Sequence, residues 1–259
     1  MEKIAFPQIA DYSEISYEEY MQERVNFWNS TSGELTGYDC KECKNKGMIA
    51  FVEDGYERTR ACRCMKIRDT LRRIRLSGLS ELLRTNTFQS FETTQSFQEQ
   101  MKRSALEFVK NKSGCFFACG QSGCGKTHIC TAIVGGMIKQ GLSALYLVWR
   151  EESGKLKAHA SEPDYHTLIA PYKHTDVLYI DDLFKTKEIS DISNADVKLA
   201  FELLDHRQRN HLITIISTEW TLQQIAQVDE AIAGRIAQMS KGYRILINKD
   251  PKKNYRLRE

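Results

Sequence analysis

The sequence predicts an α/β fold: a parallel five-stranded sheet flanked by helices, preceded by a small cysteine-bearing module. Three observations point to it. Short apolar runs recur between about residues 88 and 250, separated by segments of helical spacing; this is the pattern of strands buried on both faces and joined by crossover helices. A glycine-rich stretch follows the first of those runs and opens a helix. Ahead of all this lie two close pairs of cysteines.

Taken in order, residues 1–38 form an acidic segment. Glu2, Asp11, Glu14, Glu18, Glu19, Glu23 and Glu34 stand against Lys3 and Arg24, and Ile15, Tyr20, Val25, Phe27 and Trp28 are placed for a helix that needs a partner surface. Residues 39–84 hold the cysteine pairs, an apolar run at Met48–Val52, a turn at Glu53-Asp54-Gly55 and a basic helix. In that helix, Met65–Leu76, the residues Ile67, Leu71 and Ile74 share one face and leave the bases on the others. Gly78 and Arg84-Thr85-Asn86-Thr87 read as a linker. In residues 85–250 strands are expected at Cys115–Cys119, Ser143–Trp149, Asp176–Leu183, Leu212–Ser217 and Tyr243–Ile247, with one helix running from the glycine loop to Ile138 and another at Ile192–Arg209. Residues 251–259 are a basic tail, part of a run from Lys241 through Arg244, Lys249, Lys252, Lys253 and Arg256 to Arg258.

Composition narrows the function classes. The 259 residues carry 37 Lys+Arg against 34 Asp+Glu, too balanced and too apolar (41%) for a disordered chain. The longest apolar stretch, Ala144–Trp149, is far too short to span a bilayer, and no signal peptide opens the chain, so a cytoplasmic protein is expected. Eight cysteines in that compartment are not read first as disulfides. Basic clusters at 60–75 and 241–259 suit polyanion contacts, solvated helix faces being the plainer reading.

The most specific signal is Gly120-Gln121-Ser122-Gly123-Cys124-Gly125-Lys126-Thr127, a full G-x-x-x-x-G-K-[ST] motif between a predicted strand and a predicted helix. Glycines let backbone N–H groups turn inward around phosphate oxygens, and the helix N-terminus adds its positive end. Lys126 would reach the β- and γ-phosphates of ATP, and the Thr127 hydroxyl would bind Mg²⁺; His128 is counted with the nucleotide-binding residues. A second acidic site is needed for the metal. Val177-Leu178-Tyr179-Ile180-Asp181-Asp182 supplies it at a strand end, Asp181 as magnesium anchor and Asp182 as the group that orients and deprotonates water. Cys124 beside Lys126 could have a lowered pKa and make the loop redox-sensitive; a tolerated spacer is the simpler reading.

These residues, with Thr214-Ile215-Ile216-Ser217-Thr218, Gly234-Arg235-Ile236 and Lys241-Gly242-Tyr243, resemble AAA+ ATPases. Within them the chain looks like the DnaC/DnaI-type helicase loaders and their IstB-like relatives, over about residues 85–250. The resemblance implies a P-loop AAA+ core acting as an ATP-dependent loader of a hexameric replicative helicase onto single-stranded DNA. It also implies helicase contact through the N-terminal part and self-association through the ATPase domain. It makes Thr218 the polar sensor after the fourth strand and Arg235 the arginine offered to a neighbouring subunit's ATP site. Glu219 departs from the family's Asn. Asp182 stands where most relatives have Glu, which implies slow hydrolysis suited to a switch. With about a dozen residues after the fifth strand, neither a helical lid nor an origin-binding domain is expected. The other readings are a transposition helper binding duplex DNA and a transposase, a small-molecule phosphotransferase, and a nucleotide-gated adaptor that needs no hydrolysis.

Cys40-x-x-Cys43 and Cys62-x-Cys64, eighteen residues apart, approach the spacing of a four-cysteine structural Zn²⁺ site that closes around a hairpin at Gly55. Free thiols and an iron–sulfur cluster are the alternatives. Cys115, Cys119 and Cys130 read as packing residues. For single-stranded DNA, Lys155, Lys157 and Lys173 with Tyr165 and Tyr172 for stacking are the candidates.

Overall fold

The computed structural model describes residues 15–76 and 80–257. Glu2, Lys3, Asp11, Glu14, Gly78, Arg258 and Glu259, and the side chains of Arg73, Ile74 and Arg75, lie outside that description. The chain forms two compact units that divide between Arg72 and Arg73.

In the first unit α1 (Tyr17–Ser30) starts at a capping box in which Ser16 and Glu19 satisfy each other's backbone N–H. Its Met21 and Val25, four apart and therefore on one face, are buried, while Phe27 is left exposed. β1 (Met48–Glu53) and β2 (Tyr56–Ala61) are antiparallel, in register from Met48 opposite Ala61 to Glu53 opposite Tyr56. The connecting Asp54-Gly55 takes positive φ at both residues (53° and 73°), the twist that a two-residue hairpin requires. Asn29 of α1 clamps the hairpin: its Nδ2 donates to the Ala50 carbonyl (2.9 Å) and its Oδ1 accepts from the Ala50 N–H (3.1 Å). α2 (Cys64–Leu76) follows, with Ile67 buried beneath its basic faces.

The second unit is built on five parallel strands: β3 (Cys115–Gly120), β4 (Ala144–Val148), β5 (Val177–Asp181), β6 (Ile213–Thr218) and β7 (Arg244–Ile247). They are ordered β4-β5-β6-β3-β7; their parallel pairing is what the continuous apolar runs predict, with boundaries within two residues of expectation. Trp149 is the exception; it opens helix α6 (Trp149–Ala158) instead of closing a strand, packing edge-on against Phe184 at 5.5 Å. β3 and β6 lie side by side at the centre, so the glycine loop and the chain leaving β6 emerge next to each other.

Helices cover both faces. α3 (Ser80–Thr85) and α4 (Ser96–Asn111) pack on α5 (Lys126–Lys139), which is itself buried at nine positions. α7 (Tyr165–His174), α8 (Asn194–Arg209), α9 (Leu222–Val228) and α10 (Glu230–Met239) complete the layers. Arg207, fully buried, ties α8 to the sheet. It donates to Thr214 Oγ1 (3.0 Å) and to the carbonyls of Tyr172 (2.9 Å), Thr175 (3.0 Å) and Ile213 (2.5 Å). Burial without a carboxylate partner pulls its pKa down to about 9, still charged at neutral pH. Cys115, Cys119 and Cys130 are buried as packing residues, and burial pushes the Cys119 thiol up to about 11. Among the described residues no helix is long and apolar enough to cross a membrane.

Candidate functional site

The glycine loop leaves β3 and turns into α5 beside a cavity of about 540 Å³. Gly120 is required for a reason separate from phosphate access. Its φ is 110°, and a Cβ there would sit 2.1 Å from the Ile247 carbonyl oxygen of the neighbouring strand. Gly125 caps α5 in the left-handed region, which leaves the first-turn N–H groups of the helix facing the loop. Lys126 is buried and its ammonium donates to the Gly120 (2.8 Å) and Gln121 (2.7 Å) carbonyls, lying along the inside of the loop.

The loop and the acidic strand end meet directly. Thr127 Oγ1 donates to Asp181 Oδ1 at 3.3 Å, although 54 residues separate them. Asp181 also accepts from the hydroxyls of Tyr146 (2.7 Å), Tyr179 (2.6 Å) and Ser217 (2.5 Å). Burial, reinforced by the Asp181 charge, raises the pKa of Tyr146, so its hydroxyl stays a donor. Tyr179 could have been found from the sequence, since it is two positions before Asp181 and side chains alternate along a strand. Ser217 and Tyr146 needed the strand order, which places Tyr146 opposite Tyr179.

Asp182 sits at φ 53°, a left-handed conformation that aspartate tolerates better than most residues. Its N–H donates to Ser217 Oγ (3.1 Å), and the turn carries its side chain to the cavity wall with Lys185. Burial first, then the neighbouring Asp181 charge, raises its pKa; Lys185 and Lys126 oppose the shift. Lys185 lies 3.9 Å from Asp182 and makes a closer ion pair with Glu219. Burial works against ionisation of Glu219, but that lysine overrides it and holds the carboxyl below its usual range.

His128 also lines the cavity. Its Nε2 is 3.0 Å from the Thr87 carbonyl and 3.2 Å from Ser90 Oγ, and its ring meets Phe91 edge-on at 5.1 Å. Burial lowers its pKa, against the pull of the Thr87 carbonyl.

Four of the groups named from the sequence lie in surroundings that local pattern does not reveal. Thr218 does not face the acid pair. It is fully buried, its hydroxyl donates to the Leu183 carbonyl (2.8 Å), and it accepts from the Trp220 N–H (3.2 Å). Alternation along β6 turns Ser217 toward the acids instead. Cys124 follows the simpler reading: burial raises its pKa above the ordinary thiol value despite Lys126, and its thiol donates to the Gln121 carbonyl (2.9 Å). The basic residues named for DNA each form an ion pair within the fold. Lys155 pairs with Glu152 (2.8 Å), Lys157 with Asp196 (2.6 Å) and Lys173 with Glu202 (2.5 Å), while Tyr165 and Tyr172 donate to the same Glu202 and Glu152. Arg235 forms its ion pair with Asp205 of α8 (2.8 Å) and lies 4.3 Å from the Phe201 ring centroid, so within one copy its guanidinium is engaged.

In the first unit the Sγ atoms of Cys40, Cys43, Cys62 and Cys64 all lie within 4.8 Å of one another, and all four residues are buried. Cys40 and Cys62 are 3.7 Å apart, Cys43 and Cys64 3.4 Å, close to the ~3.8 Å edge of a tetrahedron with metal–sulfur bonds of ~2.3 Å. Burial resists ionisation of Cys43, yet the Gly47 N–H (3.3 Å) and the adjacent thiols bring its pKa down to about 7. This donor set fits one four-coordinate ion and leaves no position open.

A family model described as IstB-like ATP binding protein matches residues 42–239. The phage-like element PBSX protein XkdC of Bacillus subtilis (strain 168) is 28% identical over 226 residues, 81% of this chain and 82% of that protein. A solved structure of the DnaC helicase loader is similar with a TM-score of 0.57 at 18% identity, covering 65% of this chain and 99% of that one. A structure of DnaI is similar at 0.54 and 22% identity, covering 65% and 92%.

Proposed function

The chain belongs to the IstB-like ATP-binding family, and on that premise we propose that it is a Mg²⁺-dependent ATPase switch that places a hexameric replicative helicase on single-stranded DNA. The observation that carries the nucleotide half of this reading is the 3.3 Å contact between Thr127 and Asp181, with the Lys126 ammonium inside the same loop. On ATP binding Lys126 exchanges its two carbonyl partners for phosphate oxygens, and the α5 N-terminus faces the same charge. Thr127 and Asp181 would hold Mg²⁺, which supplies neutralisation of charge on the β- and γ-phosphates. Asp181 is kept in place by three further hydroxyls, so it orients without needing to change rotamer.

Asp182 would take the proton of the attacking water. Its raised pKa makes it a better base than a solvated aspartate, but its reach is one methylene shorter than glutamate's. Slow turnover follows, fitting a timed switch. Arg235 can serve a neighbouring copy only after leaving Asp205, which makes self-association a regulated step.

The four cysteines would hold structural Zn²⁺, and the residue 15–72 unit they brace would dock the helicase, its exposed acidic α1 residues Glu18, Glu19 and Glu23 offering a charged face. The likeness to a protein described as a helicase loader supports that assignment of partner. Residues 85–250 are the ATPase domain in this reading, and the setting is the cytoplasm.

A second reading, a transposition helper that binds duplex DNA and a transposase, is favoured by the IstB-like description of the matching family. Affinity capture of the cognate helicase, with and without ATP, separates the two. ATP-dependent capture that is lost in the Lys126→Ala protein is expected. Preference for duplex DNA with no helicase capture would put the second reading first.

A further inference from the structure

The turn that follows β5 carries two residues in an unfavourable backbone conformation. Asp182 takes φ 53° and Phe184 φ 59°, the left-handed region that an aromatic residue rarely enters. The chain leaving β6 holds the turn there. The Leu183 N–H donates to the Ser217 carbonyl (2.9 Å), Thr218 Oγ1 to the Leu183 carbonyl (2.8 Å) and the Trp220 indole Nε1 to the Phe184 carbonyl (2.7 Å). The Phe184 ring is buried and packed edge-on against Trp149. Strain of this kind persists only where the surroundings over-determine it, and the side chain that this turn delivers to the cavity after Asp182 is Lys185.

Lys185 lines the same cavity as Ser122, Gly123, Lys126 and Thr127 of the phosphate loop. Its ammonium stands between two carboxylates, 3.9 Å from Asp182 and in closer ion pairing with Glu219. Glu219 is tied to the loop as well, because Ser122 and the Lys126 charge join Lys185 in favouring its ionised form. Two carboxylates, Asp182 and Glu219, and two ammonium groups, Lys126 and Lys185, thus gather beside the loop. A nucleotide whose phosphates engage Lys126 therefore meets both carboxylates with one cation left to balance them. That cation is suited to the task. An ammonium carries three donors on a flexible stem, one more than the carboxylates beside it, and binds a phosphate oxygen as a point charge.

We infer that Lys185 contacts the terminal phosphate of bound ATP, and that Glu219 is the partner of its ammonium when that phosphate is absent. This deepens the ATP-binding reading and rests on it. The contact distinguishes ATP from ADP, because a diphosphate leaves the lysine on its carboxylate.

The test is a titration of the full chain with fluorescent analogues of ATP and ADP in Mg²⁺, comparing wild type with Lys185→Met, the double variant Lys185→Met/Glu219→Gln, and Lys126→Ala. Lys185→Met should weaken ATP binding about tenfold and leave ADP binding within about twofold of wild type. The double variant removes a cation and an anion together. It keeps the local charge balance and leaves no unpaired Glu219 to disturb the fold, but it lacks the donor, so it should show the same loss for ATP alone. Wild-type ATP affinity in the double variant overturns the inference and reduces Lys185 to the counter-ion of Glu219. Wild-type ATP affinity in Lys185→Met overturns it too, as does equal weakening of ATP and ADP in both variants. Lys126→Ala should lose both nucleotides; if it does so while Lys185→Met binds as wild type, the ATP-binding reading survives. A wild-type chain that binds neither nucleotide overturns both.

Discussion

The two units bury their chains by different means. In the second, Val177, Leu178, Tyr179 and Ile180 are fully buried in succession, and β6 and β3 repeat the pattern, so the centre of the sheet is its own core. In the first, the buried apolar set among the described residues is small: Met21, Val25, Ala50 and Ile67 beside the four cysteines. A segment that short has too little apolar area to offset its chain entropy, and a metal held by the four cysteines would make up the difference. One sequence therefore holds a region specified by hydrophobic periodicity and another specified by ligand spacing.

Removing the metal should break this comparison most sharply. A strong chelator is expected to unfold residues 15–72 and leave the sheet unit intact, since structural zinc contributes roughly 10–16 kcal/mol in comparable small modules. Segment-resolved hydrogen exchange reads this directly, and equal protection in both units after chelation would contradict it. The converse lesion is Arg207→Met. It leaves the carbonyls of Tyr172, Thr175 and Ile213 without their donor and should cost the sheet unit about 3–5 kcal/mol, with the cysteine unit's exchange unaltered.

Smaller effects sharpen the picture at the site. Asp182→Asn should abolish hydrolysis while ATP still binds. Because the folded-state pKa of Asp182 is raised, its charge destabilises the fold above the unfolded value near 3.8, and the cost is relieved only as pH falls. The asparagine should therefore melt slightly higher at neutral pH, by under about 1 kcal/mol given the partial exposure of the side chain. A melting point below wild type would deny the strain assigned to that carboxylate. His128 has the opposite sign. Its folded pKa is lowered, so stability is fully present above its unfolded value near 6.5 and declines as pH falls through and below it. His128→Gln should flatten that decline by a fraction of about 1 kcal/mol, measured as melting temperature from pH 7.5 to 5.

What could be read from the sequence alone was whatever local pattern encodes. All five strands, the phosphate loop, Asp181 at a strand end and the hairpin turning at Asp54-Gly55 follow from periodicity or motif chemistry. The cysteine pairs were legible for the same reason: their spacing is itself the ligand geometry, and the four Sγ atoms converge. Less legible were residues whose partner is set by a distant neighbour. Lys157 meets Asp196 and Lys173 meets Glu202 across 39 and 29 residues, and no local signal separates such a lysine from a free one. Thr218 and Ser217 differ by one position, and only the strand's facing decides which hydroxyl meets Asp181. α4 went unseen because its buried Met101, Ala105 and Phe108 are diluted by polar residues, although their spacing is helical. The 250–256 segment, which lies across the phosphate loop, has no periodic pattern at all; it is specified by single contacts such as those of Gln121 with Asp250 and Asn254 with Gly123.

Calorimetric titration of the wild-type and Lys126→Ala proteins with ATP, in magnesium and in excess chelator, puts the whole interpretation at risk. Saturable, magnesium-dependent binding in the wild type, weakened at least about tenfold by the substitution, is the expected result. Equal affinity in the two proteins would mean that the loop from Gly120 to Thr127 does not grip a triphosphate, whatever its resemblance to loops that do.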